Sequence, residues 1–270
     1  MSTKELTPQA EIVIAAKRQA LADRKLRTPI EAVRALASMQ KRPKAVLNAV
    51  ATDAQITLIG QIKYAQGKSE LLNDYDPVAT ALRFVKTGIE AVSLLTDEYL
   101  YEGGLDDLVL VSRAINVPVV SQDYIFDEYQ IVEARAAGAS ALMLSSAILE
   151  SASLYALLSA TQRNRMTGIV QVYDAEELKF ALSLSPYVIG LSNFDPWTDE
   201  YVGDHIRKLR PLIPPNVGVM VTDGLQTLAE IEDIAGLGVH ALLVRDTILD
   251  NPDQTAQLMS ILKTFRSGSD

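Results

Sequence analysis

The chain has 270 residues, 34 acidic against 25 basic side chains, a net charge of -9, 48% hydrophobic residues and no cysteine. That length suits one large core, the apolar fraction excludes a disordered chain, and the absent cysteines exclude disulfides, thiolate nucleophiles and Cys-ligated metal centres. Two histidines, His205 and His240, are too few for a His-based metal site, no apolar run reaches the roughly 18–20 residues of a membrane helix, and the N-terminus lacks a signal-peptide pattern. The expectation is a cytoplasmic protein that uses no metal or other cofactor and binds neither membrane nor nucleic acid, with any protein partner left open.

Residues 1–50 hold 10 Lys/Arg and 4 Asp/Glu, so a segment of +6 precedes a body of -15. Either this segment docks on the acidic body or helps hold an anionic ligand, or its charges are the solvated faces of amphipathic helices, which is the commoner case. Ile12, Ala16 and Ala20, then Ile30, Val33, Leu36 and Met39, recur at helical spacing and predict two helices, with Thr28 as N-cap and Pro29 at the first position of the second. No low-complexity linker follows. The reading is one domain over 1–270, a helical extension over 1–50 and a barrel over 51–270.

From there, short apolar runs alternate with helical patterns. Strands are expected at Ile56–Ile62, Ala91–Leu95, Val117–Val120, Ala141–Leu144, Gly168–Val172, Val188–Leu191, Val217–Val221 and Ala241–Val244. Their nearly continuous apolar character is that of strands buried on both faces, as in parallel sheets. Helices fill the gaps, among them Val78–Lys86, Tyr129–Ala137, Glu176–Ser183 and Leu228–Ile234. Gly88, Gly138 and Gly238 each precede two variable residues, an alanine and an apolar strand, at intervals of 50 and 100 residues. A glycine there stops a helix in the left-handed conformation. Repeating units of constant length point to an α/β fold of the (β/α)8 TIM-barrel type. An open doubly wound sheet is the alternative, weakened by the lack of G-x-G-x-x-G after the first strand.

Barrel chemistry sits at the C-terminal strand ends. Here these carry Gly60-Gln61-Ile62-Lys63, Ser121-Gln122-Asp123, Gln171-Val172-Tyr173, Ser192-Asn193, Thr222-Asp223-Gly224 and Arg245-Asp246-Thr247. The runs Leu58 to Lys63, Ser93 to Glu98, Asp123 to Gln130 with Glu133-Ala134-Arg135 and Gly138-Ala139, and Ile189 to Asn193, together with Arg42-Pro43 before the first strand, resemble the indole-3-glycerol phosphate synthase family over essentially the whole chain. That resemblance implies a phosphate-binding barrel of the tryptophan pathway, closing an indole ring with loss of carbon dioxide and water.

The resemblance departs at the positions it assigns to catalysis. The family's Ala-Glu-Ile-Lys is Gly60-Gln61-Ile62-Lys63, its Lys-Asp-Phe is Gln122-Asp123-Tyr124, and its Val-Glu-Val is Val170-Gln171-Val172. Its Asn-Asn/Ser-Arg becomes Ser192-Asn193-Phe194 and its Glu-Ser-Gly becomes Thr222-Asp223-Gly224. Of the charged catalytic positions only Lys63 is kept. A glutamine amide does not titrate near neutral pH and serves as neither proton donor nor base, each of which contributes roughly 10²–10⁴-fold. Drift of a disused site and selected reuse both fit.

The implied phosphate subsite is altered as well. Gln66-Gly67-Lys68, Asp223-Gly224 and Arg245-Asp246-Thr247 stand where small hydroxyls and glycines are usual. Gly224, Thr247 and Lys63 remain suited to an anion, and Lys68 or Arg245 adds a cation, whereas Asp223 repels a phosphate. Arg245 could instead fill the subsite by pairing with Asp223 or Asp246.

For the remaining residues the expectations are structural. Lys63 is read as an inherited lysine paired with Asp123 before it is read as a Schiff-base former. Tyr99, Tyr101, Tyr124, Tyr173 and Phe194 are packing residues or the wall of an aromatic pocket. Asp97 and Glu98 belong to the second loop, Trp197 covers the rim, and His205 and His240 fall at the surface.

Three functional readings follow. The first is a noncatalytic or repurposed paralogue that binds a small, phosphorylated or aromatic ligand through Gln61, Lys63, Gln122, Gln171 and Asn193, with Ser192, Gly224, Asp223, Arg245 and Thr247 nearby. The second is an active synthase or related lyase using Lys63 with Asp123, Asp223 or Tyr173. The third is an interaction protein working through its basic N-terminal helices.

Overall fold

The near-continuous apolar runs form a closed, all-parallel eight-stranded barrel in the order β1 to β8, with β8 paired to β1. The structure is a computed structural model and describes residues 8–47, 55–63, 75–97, 103–194, 201, 203–223, 225 and 227–265, with side chains 9, 10, 246 and 247 left aside. The strands are β1 Thr57–Ile62, β2 Ala91–Leu95, β3 Val119–Gln122, β4 Ala141–Ser145, β5 Thr167–Val172, β6 Val188–Ser192, β7 Gly218–Asp223 and β8 Ala241–Arg245. Helices α1 Pro8–Arg27 and α2 Ile30–Met39 precede the barrel. Then come α3 Pro77–Lys86, α4 Leu105–Ala114, α5 Glu128–Ala136, α6 Ser151–Arg163, α7 Ala175–Ser183, α8 His205–Leu209, α9 Leu228–Ala235, α10 Asp246–Leu249 and α11 Pro252–Leu262. The (β/α)8 reading holds; strands three and seven begin one or two residues later than expected and end two later.

Strand alternation sorts the side chains. Ile59, Ala91, Val120, Ala141, Met143, Ile169, Val188, Met220, Ala241 and Leu243 point inward and pack on one another, joined by Val46. Their outward neighbours, such as Leu58, Ile62, Val92 and Leu94, pack against the helices. Polar caps start those helices: Asp76 accepts the Ala79 N–H ahead of Pro77, and Asp127 with Gln130 forms a capping box on α5. The three repeat glycines carry φ of +94°, +100° and +71°, the left-handed backbone their pattern implied.

The N-terminal helices depart from the sequence reading in two ways. Their buried residues are Val13, Ile14, Leu21, Val33 and Ala37, while Ile12, Leu36 and Met39 are exposed and Ala20 faces solvent. Of the expected stripe Val33 is buried and Ile30 packs beside it, whereas most of the rest turns away because α2 and α1 dock through Leu21, Val33 and Ala37 onto Tyr129 and Val132 of α5. The second helix begins at Ile30 with Pro29, not Thr28, at its cap, and the Thr28 carbonyl instead accepts the Tyr129 hydroxyl at 2.9 Å.

The positive charges of this segment are not simply solvated. Arg24 grips Glu133 with two hydrogen bonds of 2.9 and 3.2 Å, Lys25 pairs with Asp127 at 2.5 Å, and Arg34 meets Glu128 at 3.4 Å. In return Arg135 of α5 donates to the Gln40 and Lys41 carbonyls at 3.1 and 2.5 Å. Docking of the segment on the acidic body is what occurs.

The histidine expectation is also corrected. His240 is buried, its Nδ1 accepting the Val219 N–H at 3.1 Å, and burial beside Arg210 pushes its pKa down, keeping it neutral. His205 is half-buried at the start of α8. No described helix is long and apolar enough to cross a membrane.

Candidate functional site

Two residues beyond the apolar inner layer, the same alternation places polar side chains at the barrel mouth: Gln61 after Ile59, Ser93 after Ala91, Gln122 after Val120, Gln171 after Ile169, Thr222 after Met220 and Arg245 after Leu243. Gln61 Nε2 donates to Gln122 Oε1 at 2.9 Å, and Gln122 Nε2 in turn donates to Met143 Sδ at 3.2 Å. Across the mouth, Gln171 Nε2 donates to Thr222 Oγ1 at 2.9 Å, whose hydroxyl passes on to the Leu191 carbonyl at 3.1 Å. Gly190 makes room for this pair, since a Cβ there would lie 3.0 Å from both Gln171 Cγ and Thr222 Cγ2. The three glutamines are thus brought to one end of the barrel and tied into neutral hydrogen bonds.

A cluster that sequence reasoning missed lies beside them. Lys17 of α1 reaches the ends of β2 and β3, where its Nζ is 3.3 Å from Asp97 Oδ2 and paired with the Asp123 carboxylate. The expected partner of Asp123 was Lys63; the ion pair found is with Lys17, from a helix read only as a source of charge. Burial pushes the Asp123 pKa up to about 6, opposed by Lys17 and reinforced by Asp97. Lys63 itself follows directly on β1.

At the subsite implied for phosphate, Arg245 reaches across from β8 and its guanidinium meets Asp223 Oδ1 at the end of β7, 3.3 Å away. Of the two partners considered for Arg245, Asp223 is engaged, and the side chain of Asp246 lies outside what is described. Ser192 Oγ accepts the Phe194 N–H at 3.0 Å, and Asn193 Oδ1 accepts the Ile206 N–H at 3.1 Å, fixing the start of α8. Both side chains therefore hold the local backbone, a use that the ligand-binding reading did not include. Tyr173 is buried, and burial raises its hydroxyl pKa far above neutrality, so it stays protonated and does not serve as a base. Phe194 packs edge-on against Tyr201, ring centroids 5.6 Å apart. Gln66, Gly67, Lys68, Glu98, Tyr99, Tyr101, Trp197 and Gly224, and the side chains of Asp246 and Thr247, lie outside what is described. Among the described residues no group of three or more His, Cys, Asp or Glu is arranged to hold a metal.

The fold is shared with KGPDC from Streptococcus mutans, at a TM-score of 0.59 and 12% identity over 78% of this chain and 99% of that one. It is shared also with thiamine phosphate pyrophosphorylase from Pyrococcus furiosus, at a TM-score of 0.55 and 13% identity over 78% and 96%. At such identities the likeness is one of architecture. Sequence relatives are nearer: the indole-3-glycerol phosphate synthase of Dehalococcoides mccartyi is 33% identical over 243 residues, covering 88% of this chain and 94% of that protein. The synthase of Campylobacter jejuni is 30% identical over 247 residues, covering 90% and 95%. A family profile for indole-3-glycerol phosphate synthase matches residues 10–261. With the barrel, the extension and these relatives in agreement, the chain belongs to the indole-3-glycerol phosphate synthase family.

Proposed function

We propose that this member of the family has lost most or all of its ring-closing activity and works as a small-ligand-binding barrel. The hydrogen bond between Gln61 and Gln122 carries the reading: two positions that the family resemblance assigns to a carboxylate and a lysine hold amides, bonded to each other at 2.9 Å. Ring closure needs a proton donated to a departing hydroxyl and a carboxylate to accept one, and amides do neither near neutral pH. The Arg245–Asp223 pair, which neutralises a cation at the implied phosphate subsite, supports the same reading. So does the docking of Arg24, Lys25 and Arg34 on this chain's own carboxylates, which leaves less of the extension's charge for a protein partner. A cytoplasmic location fits a chain without cysteine.

The active-enzyme alternative has one observation on its side. Asp123, with a pKa of about 6, is a carboxyl able to carry a proton near neutral pH at the barrel mouth. Purified protein incubated with carboxyphenylamino-deoxyribulose phosphate, with indole fluorescence followed over time, separates the two. Little or no product is expected; turnover at the rate of an active family member overturns the binding reading in favour of the enzyme.

A further inference from the structure

The neutral amide chain has a direction, and it leaves an acceptor open. Met143 Sδ accepts hydrogen bonds and donates none, so Gln122 turns its NH2 toward it. Gln122 Oε1 then faces Gln61, which presents its own NH2. Gln61 Oε1 is left buried without a hydrogen-bond partner among the described residues, in a side chain only 3% exposed. On the adjacent strand the register partner of Gln61 is Ser93, fully buried, whose Oγ also has no partner among them. On the other side the register partner is Arg245, already engaged by Asp223. A buried carbonyl oxygen without a donor is unfavourable, and a ligand N–H or O–H placed against it removes that cost. An anionic oxygen in the same place is repelled.

Building on the binding role proposed above, we infer that the mouth selects an uncharged ligand, free of phosphate, which offers an N–H or O–H to Gln61 Oε1 and a second polar atom to Ser93. The ligand class is a small, neutral hydrogen-bond donor, where the family resemblance implies a phosphorylated acid.

Paired probes on the full-length protein test this by calorimetry: indole against 1-methylindole, and benzamide against N,N-dimethylbenzamide. In at least one pair the donor-bearing member is expected to bind at least about tenfold more tightly than its capped counterpart. Gln61→Met combined with Gln122→Met keeps the bulk and removes both amide oxygens, so that no carbonyl is freed at the mouth, and it should abolish that difference. Inorganic phosphate should not compete in the unaltered protein, and Asp223→Asn, which releases Arg245, should gain phosphate binding. Equal affinities within both pairs, binding by none of the four probes, phosphate competition in the unaltered protein, or no phosphate gain in Asp223→Asn overturns the inference. These readouts involve no turnover, so the ring-closure assay can fail or succeed separately.

Discussion

Lys17 is ion-paired with Asp123, so a helix outside the barrel contributes a cation to the barrel mouth. Its ammonium also lies 3.3 Å from Asp97, and two carboxylates therefore share one positive charge in side chains 3% and 12% exposed. With its pKa raised from 3.8 to about 6, Asp123 keeps its proton to a higher pH in the folded protein than in the unfolded one. Between those values the folded state binds more protons at this group, so the contribution of Asp123 to stability falls as pH rises through the window and is level above it. Asp123→Asn should flatten that slope and be at least as stable as the parent near pH 7.5, the difference reaching at most about 3 kcal/mol. Lys17→Met leaves two buried carboxylates without their cation and should cost about 3–5 kcal/mol near neutrality. Urea denaturation from about pH 4 to pH 8 measures both; a stability difference between Asp123→Asn and the parent that does not change across the window refutes the assignment.

Restoring charge at the amide positions should recover chemistry only in combination. Gln61→Glu alone places a carboxylate in a site 3% exposed, opposite an amide, and should cost roughly 1–3 kcal/mol with little effect on rate. Adding Gln122→Lys supplies a cation to the residue that Gln61 already contacts, and adding Gln171→Glu returns the second carboxylate. The triple variant should form indole product about 10²–10⁴-fold faster than the parent. If it is no faster, these three positions do not account for the loss of ring closure proposed above.

The barrel was legible because its strands are nearly continuous apolar runs and its helices end on glycines that require positive φ, as at Gly138. Alternation also made the mouth legible: once Ile59 and Ile169 are inside, Gln61 and Gln171 must be too. Lys17 was not legible, because a lysine on a charged helix carries no local sign that it will meet Asp123, far along the chain. His240 misled for a similar reason, since only the strand packing shows that its Nδ1 caps the Val219 N–H. The motif Glu133-Ala134-Arg135, read as a family signature, proves to hold the extension: Glu133 takes Arg24, Arg135 takes two carbonyls, and Ala134 is buried in the core.

Gly60 stands where the family resemblance has alanine, and the reason lies in α3. A Cβ at Gly60 would come within 2.5 Å of Phe84 Cδ2, and Phe84 is fully buried. Gly60→Ala should therefore overpack the interface and cost about 1–3 kcal/mol. Phe84→Leu alone should cost on the order of 1–2 kcal/mol through lost contact. In the double variant the smaller side chain makes room for the methyl group, so the two costs should add to less than their sum. Thermal or urea unfolding of the four proteins in a double-mutant cycle reads the coupling, and strict additivity would show that the ring does not set the requirement for glycine.

Arg135 should matter more to the extension than any of the ion pairs on its rim. It is buried and donates to the Gln40 and Lys41 carbonyls, where α2 gives way to the segment leading to Val46 inside the barrel. Arg135→Met keeps most of the apolar stem but strips the donors from two carbonyls, and should cost about 1.5–3 kcal/mol. Lys25→Met breaks a pair whose side chains are 41% and 32% exposed, and should cost less than about 1 kcal/mol. Loosening the segment at Gln40 should also weaken the seating of α1, so Arg135→Met is expected to speed proteolytic cleavage between residues 28 and 47 and reduce the pH dependence that Lys17 and Asp123 create. Equal losses in the two variants, with no change in cleavage, would mean that the extension is held by net charge alone, without the buried hydrogen bonds of Arg135.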